Sequence, residues 1–261
     1  MKKIFLFILL LLVPLCAWGQ QCSDDNQMAR LSPAMLWSVP AAAPAGGACP
    51  DAAANLICED FEGSTDCGTG QSTCRETWAT PYETDGTFAA DTAASSSCTD
   101  KGSYEATITT TDASNDVEIC KAISDATTVT LTMMVKVTSE SMSNTSAIVA
   151  LVADPDWSPY LSIVILDSAG TLFVGVSDTV NPIQSTSTIT PGTWYQVGLK
   201  WVSGTSLSVI FNGSTEFTDT TGIVTGTMTQ ACVGTYNAGP IVFVIDNIKI
   251  GNSTQPDSCT E

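Results

Sequence analysis

The sequence predicts an all-β fold, a two-sheet antiparallel sandwich preceded by an irregular N-terminal arm. From Leu56 to Ile250 it reads as about a dozen short β-branched and aromatic runs separated by Gly, Asn, Asp and Pro. Several runs alternate with period two, and no segment sustains a helical period. The 261 residues are 44% hydrophobic and 14% charged, enough to bury a core and too apolar for a disordered chain. Nine basic residues against 27 acidic ones leave a charge of −18. Such a surface repels nucleic acid and anionic membranes and favours metal cations or neutral ligands. Histidine is absent. That removes Ser-His-Asp and Cys-His nucleophile systems, His-ligated zinc and every imidazole base.

Taken in order, residues 1–19 read as a secretory signal peptide. Met1-Lys2-Lys3 is a short basic start, Ile4 to Leu12 an unbroken apolar run, and Ala17-Trp18-Gly19 a cleavage site before Gln20. The run is too short for a membrane span. Leu15 before Cys16 and Gln21 before Cys22 argue against lipidation. Cleavage leaves seven basic residues and a charge of about −20. No later segment is apolar enough to span a bilayer. The expected location is secreted and extracellular, or periplasmic, because the signal is of bacterial type.

Residues 20–54 form an irregular arm or linker. Val39-Pro40-Ala41-Ala42-Ala43-Pro44-Ala45-Gly46-Gly47 has linker composition, and Met35-Leu36-Trp37 is too short to build a core. The strands then follow over 56–61, 86–92, 103–110, 116–123, 129–137, 146–153, 160–166, 171–176, 195–201, 207–211, 229–235 and 240–250. Val129, Leu131, Met133, Val135 and Val137 face one way, with Thr128, Thr130, Thr132 and Lys136 mostly the other. Tyr195, Val197, Leu199 and Trp201 oppose Gln196, Gly198 and Lys200, and Leu207, Val209 and Phe211 follow the turn Ser203-Gly204-Thr205. Asn212-Gly213 supplies a turn needing positive φ. Val242, Val244, Asp246, Ile248 and Ile250 share one face of the last strand by the same alternation. Residues 251–261 form a tail.

Nine cysteines remain after cleavage, and in an oxidising compartment they read as disulfides. Cys67 and Cys74 are close enough for a local staple, and Cys98 and Cys120 bracket a strand pair. Cys49 or Cys58 would tie the start of the domain to Cys232 or Cys259 near its end, although spacing does not fix connectivity. One cysteine must stay free or join another chain, and Cys22 in the arm suits self-association. No C-x-x-C pair supports a metal site.

Two stretches go further. Pro191-Gly192-Thr193-Trp194-Tyr195-Gln196-Val197-Gly198-Leu199-Lys200-Trp201, followed by Leu207-Ser208-Val209-Ile210-Phe211-Asn212-Gly213, resembles the central hairpin of laminin-G-like domains in the concanavalin A-like lectin/glucanase superfamily. Val242 to Ile250 resembles the closing strand of such jelly rolls, and Asn55 to Gly63 their first strand. The resemblance covers roughly 55–250 and implies a single jelly-roll domain. It identifies a fold better than a ligand, since the superfamily holds lectins, enzymes and adhesive domains.

The resemblance also implies a structural Ca²⁺ held by carboxylates of the first and last strands. Here that means Asp60 or Glu62 together with Asp246, completed by main-chain carbonyls. Asp246 stands among aliphatic neighbours, where an unpaired carboxylate is costly, so it needs a donor or a cation. A carboxylate bonded to main chain in a tight corner is the other reading. Glycosidases of the superfamily carry a spaced carboxylate run on one strand. Glu59-Asp60-Phe61-Glu62 has the wrong spacing and falls on the first strand. Jelly-roll lyase motifs need histidine and more arginine than Arg30 and Arg75 provide, and no G-x-S-x-G is present. A polysaccharide-degrading enzyme is therefore the weakest expectation.

Binding is the stronger one. Exposed aromatic rings stack on sugar faces while Asp and Asn grip hydroxyls. The loop containing Asp154, Asp156, Trp157 and Tyr160 has that composition, and Tyr236-Asn237 forms a second candidate; capping the sandwich is the alternative role for both. Trp78 and Tyr82 read as core edge, and Thr107, Thr109, Thr128, Thr130 and Thr132 as solvated strand faces. The expectation is a non-catalytic carbohydrate-binding or adhesive domain, lectin-like, with a glycan or cell-surface partner. A structural subunit of a surface layer, filament or appendage is the alternative.

Overall fold

The computed structural model describes residues 55–64, 67, 74, 76–79, 82–83, 86–93, 104–111, 117–140, 146–154, 158–178, 182–236 and 240–251. The chain divides into two units, Met1–Pro44 and Ala45–Glu261, and all described residues belong to the second. The expected signal peptide and arm, Cys22, Cys49, Cys98, Cys259, Asp156, Trp157 and Asn237 lie outside the described residues, as does the tail beyond Gly251.

Two antiparallel sheets make the sandwich. One contains, in spatial order, β13 (Ser214–Asp219), β12 (Ser206–Phe211), β11 (Tyr195–Val202), β6 (Thr128–Glu140), β15 (Ile241–Gly251), β4 (Tyr104–Thr110) and β3 (Gly86–Ala93). Its eighth strand, β1 (Asn55–Glu59), also pairs with β15. The second sheet runs β10 (Pro182–Ile189), β9 (Thr171–Asp178), β8 (Tyr160–Ser168), β7 (Ser146–Ala153), β14 (Met228–Tyr236), β5 (Val117–Ala126) and β2 (Tyr82–Glu83). No helix among the described residues is long and apolar enough to cross a membrane.

The alternation read from the sequence is the alternation that fills the core. Val129, Leu131, Met133, Val135 and Val137 of β6 are all at most 1% exposed and meet Val197, Leu199 and Trp201 of β11 between the sheets. Asn212 and Gly213 both have positive φ, 45° and 77°, and close the two-residue hairpin between β12 and β13. Gly198 is required where it stands. A Cβ there would lie 2.5 Å from the Leu131 carbonyl oxygen on the neighbouring strand.

Several expectations change. Strands β10 and β13 were not visible in the sequence. β13 lies mostly exposed at a sheet edge, and the pairing of β10 with β9 shifts register between Gln184 and Thr188. Val242 to Ile250 do not share one face. Asn247, with φ of 49°, forms a bulge that shifts the register between Asp246 and Lys249. Ile248 and Ile250 therefore join Phe243 and Ile245 in the core, whereas Val244 packs with Met134 and Trp194 in a separate cluster. Thr130 and Thr132 are not solvated. Each is 1% exposed on the central strand of its sheet, with Thr132 opposite buried Lys249. Thr107, Thr109 and Thr128 are half-buried.

Cys67 bonds Cys74 across seven residues. Cys120 bonds Cys232, not Cys98, because β5 and β14 place them directly opposite each other, 4.1 Å apart at Cα. That pairing also rules out the expected ties from Cys49 or Cys58 to Cys232. Cys58 is disulfide-bonded as well, to a cysteine outside the described residues.

Candidate functional site

The site begins with a seam in the larger sheet. Along one side of β15, β4 pairs with Ile241 to Ile245 and β1 pairs with Ile248 to Gly251. The end of β1 and the start of β4 therefore meet beside Asp246 and Asn247, where the β15 ladder is interrupted. Asp60 and Glu62 follow β1, Glu105 is the second residue of β4, and Asp246 stands opposite Met134 of β6. Phe61, at φ of 53°, turns the chain between Asp60 and Glu62 and drives its ring into the core.

This junction gathers four carboxylates. Asp60, Glu105 and Asp246 are at most 2% exposed, and Glu62 is half-buried. Asp60 Oδ1 accepts the Glu62 amide at 3.2 Å, and Glu62 Oε1 accepts the Tyr104 amide, which fastens the two strand ends together. Asp246 Oδ1 accepts the Asn247 amide at 2.8 Å, while its Oδ2 is buried with no hydrogen-bond donor. Both polar atoms of the Asn247 carboxamide are likewise buried and unpartnered. Burial pushes the Asp246 carboxyl well above the usual carboxylate range, and the charges of Asp60, Glu105 and Glu62 push it the same way, against the Asn247 amide.

The junction is oxygen-rich and acidic, and its unpartnered buried oxygens, on Asp246 and Asn247, are of the ligand type that a hard divalent cation takes. The expected trio of Asp60, Glu62 and Asp246 is thus brought together, and Glu105, Asn247 and Lys136 join it. Those three were missed. Glu105 and Lys136 reach the junction only through strand pairing, and no local pattern marks any of the three. Lys136 Nζ lies 3.8 Å from Glu105 Oε1 and 4.6 Å from the Trp194 ring centre.

A tighter set of ligand atoms, all within 4.8 Å, is Glu118 with Cys120 and Cys232. Its sulfurs are bonded to each other, so no thiolate is available there.

Glu59, beside the junction, is fully buried and has a different task. Its carboxylate accepts the Phe61 amide at 2.7 Å and the Glu76 amide and Trp78 Nε1 at 2.9 Å each. Glu76 in turn accepts the Cys58 amide at 3.1 Å and pairs with Lys121. These bonds fasten the segment after β1 to the sandwich, with Trp78 inside the core.

Of the expected sugar-binding residues, Asp154 closes its own loop. Its carboxylate accepts the Ser158 amide at 2.8 Å, and its amide donates to the Pro159 carbonyl at 3.2 Å. Tyr160 opens β8 and is half-buried. Tyr236 ends β14, but its side chain, like that of Tyr82, is outside the described residues.

No family model and no curated protein matches the sequence. Among solved structures, the chain is similar to cellulose-induced protein Cip1, at 14% identity and a TM-score of 0.48, over 65% of this chain and 87% of that one. It is also similar to alginate lyase AlgAT5 of polysaccharide lyase family 7, at 15% identity and a TM-score of 0.40, over 57% and 79% of the two chains. A third likeness is to the binding domain of botulinum neurotoxin serotype G, at 10% identity and a TM-score of 0.45, over 76% of this chain and 47% of that chain.

Proposed function

We propose that this chain is a secreted, non-catalytic carbohydrate-binding or adhesive domain. Disulfides and a Ca²⁺ ion at the junction of β1, β4 and β15 hold its sandwich together. The observation that carries the cation is the Asp246 carboxylate, buried with one oxygen lacking a donor and facing three other acids. Asp246 and Asp60, with Glu62 or the Asn247 carboxamide and main-chain carbonyls, would hold the ion. When bound, it would supply positive charge beside the Asp246 oxygen that has no donor.

Several features favour binding over hydrolysis. A glycosidase needs two carboxylates about 5–10 Å apart across an open cleft. The acids gathered here are at most 2% exposed, apart from half-buried Glu62, and lie within a sheet seam beyond the reach of a polymer. The glycan itself is suggested by the resemblance of the Pro191 to Gly213 hairpin to lectin-type jelly rolls. The Cys67–Cys74 and Cys120–Cys232 bonds favour an oxidising location.

A glycan array with Ca²⁺ and with chelator tests the assignment. Binding to at least one glycan is expected, with chelation lowering Tm by about 5 °C. Release of reducing or unsaturated ends from a polysaccharide would overturn it. A structural-subunit role is favoured by one observation: edge strand β13 leaves Phe217 52% exposed. Concentration-dependent assembly without any glycan binding would select that role.

A further inference from the structure

The junction carries its own cation. Lys136 projects from β6 on the same face as Asp246, because Met134, two residues earlier, is paired with Asp246. Its stem lies by a small apolar cluster of Met134, Trp194 and Val244 that is separate from the main core. The Pro191-Gly192 turn sets the ring in place: Gly192, at φ of 85°, donates its amide to the Val137 carbonyl at 2.7 Å, two residues before Trp194. The ammonium then sits 4.6 Å from the ring centre and 3.8 Å from Glu105.

That separation is informative. A charge-assisted hydrogen bond closes to about 2.8 Å. At 3.8 Å the ammonium offsets the Glu105 charge, and it also lies over the Trp194 ring. Lys136 is therefore a positive charge held beside the acidic junction. Both side chains are largely buried, with relative exposures of 13% for Lys136 and 3% for Glu105, so water screens the charge weakly.

We infer that Lys136, held between Trp194 and Glu105, is the built-in counter-charge of the junction and sets how tightly it binds a divalent cation. The inference rests on the cation site proposed above. A fixed positive charge near a cation site weakens binding, and it also keeps the junction stable when the site is empty. Removing the charge should therefore tighten Ca²⁺ binding and destabilise the metal-free protein, two effects of opposite direction. A purely structural lysine would produce only the second.

The test is Ca²⁺ titration calorimetry on the full chain, beside thermal melts in chelator. Lys136→Met keeps the stem and removes the charge; Lys136→Arg keeps the charge. The Met variant should bind Ca²⁺ about tenfold tighter, equivalent to about 1.4 kcal/mol, and melt lower in chelator. The Arg variant should stay within about twofold of wild type. Unchanged or weaker Ca²⁺ binding by a folded Met variant overturns the inference. Should that variant fail to fold, Lys136→Gln reads the same affinity change. If wild type itself gives neither heat nor a Tm shift with Ca²⁺, the cation site fails, and this inference fails with it. Wild-type binding with an unchanged variant sinks the inference alone.

Discussion

At the scale of single residues, Asp246 is the group whose charge is least compatible with its surroundings. Burial above all, then Asp60, Glu105 and Glu62, holds its carboxyl well above the usual 3.8. Below pH 3.8 the folded and unfolded chains are both protonated, and Asp246 costs nothing. As pH rises further, the unfolded chain releases its proton first. The folded chain then loses relative stability until its own raised value is passed. In chelator, wild type should therefore lose stability relative to Asp246→Asn as pH rises above about 4. Saturating Ca²⁺ should reverse that order at neutral pH, because the asparagine variant lacks a charged ligand. Urea melts of both proteins across this range, with and without Ca²⁺, measure the effect. Parallel pH curves in chelator would show that the buried carboxyl is not the strained group.

At the scale of elements, strands with one face in the core were legible and edge strands were not. β6, β11 and β12 announce themselves because each places alternate aliphatic side chains between the sheets. β13, Ser-Thr-Glu-Phe-Thr-Asp, has no buried face to impose a pattern. In the site, Asp60, Glu62 and Asp246 were named through the resemblance of the first and last strands to jelly rolls, and the structure brings them to one junction. Glu105 and Lys136 were not named, since only the register of β4 and β6 against β15 brings them near. The same holds for Cys120 and Cys232, 112 residues apart in sequence and adjacent across β5 and β14. Closing so long a loop constrains the unfolded chain strongly. Replacing both cysteines with serine should cost about 4 kcal/mol, read as a fall in urea midpoint. A loss below about 1 kcal/mol would mean that the strand pairing alone holds β5 to β14.

Across the whole molecule, β15 joins the parts of the larger sheet. It pairs with β6 on one side and with β4 and β1 on the other, so among the described residues β13-β12-β11-β6 and β4-β3 are joined into one sheet through it. The strand lies 241 residues into the chain, and its partner β1 begins at Asn55, so the sheet closes through contacts of very long sequence separation. Folding through such pairings is slow, in the range of about milliseconds to seconds. Phe243 sits at the centre of this joint, fully buried, whereas Phe217 on the edge strand is 52% exposed. The same truncation at the two positions should therefore have unequal effects. Phe243→Ala should cost about 3–5 kcal/mol, since it opens a cavity where β15 meets β6 and β4. Phe217→Ala should change stability by less than about 0.5 kcal/mol. Denaturant melts of the two variants compare them directly. Equal losses would mean that β13 is packed against a partner surface and that β15 is not the joint of the sheet.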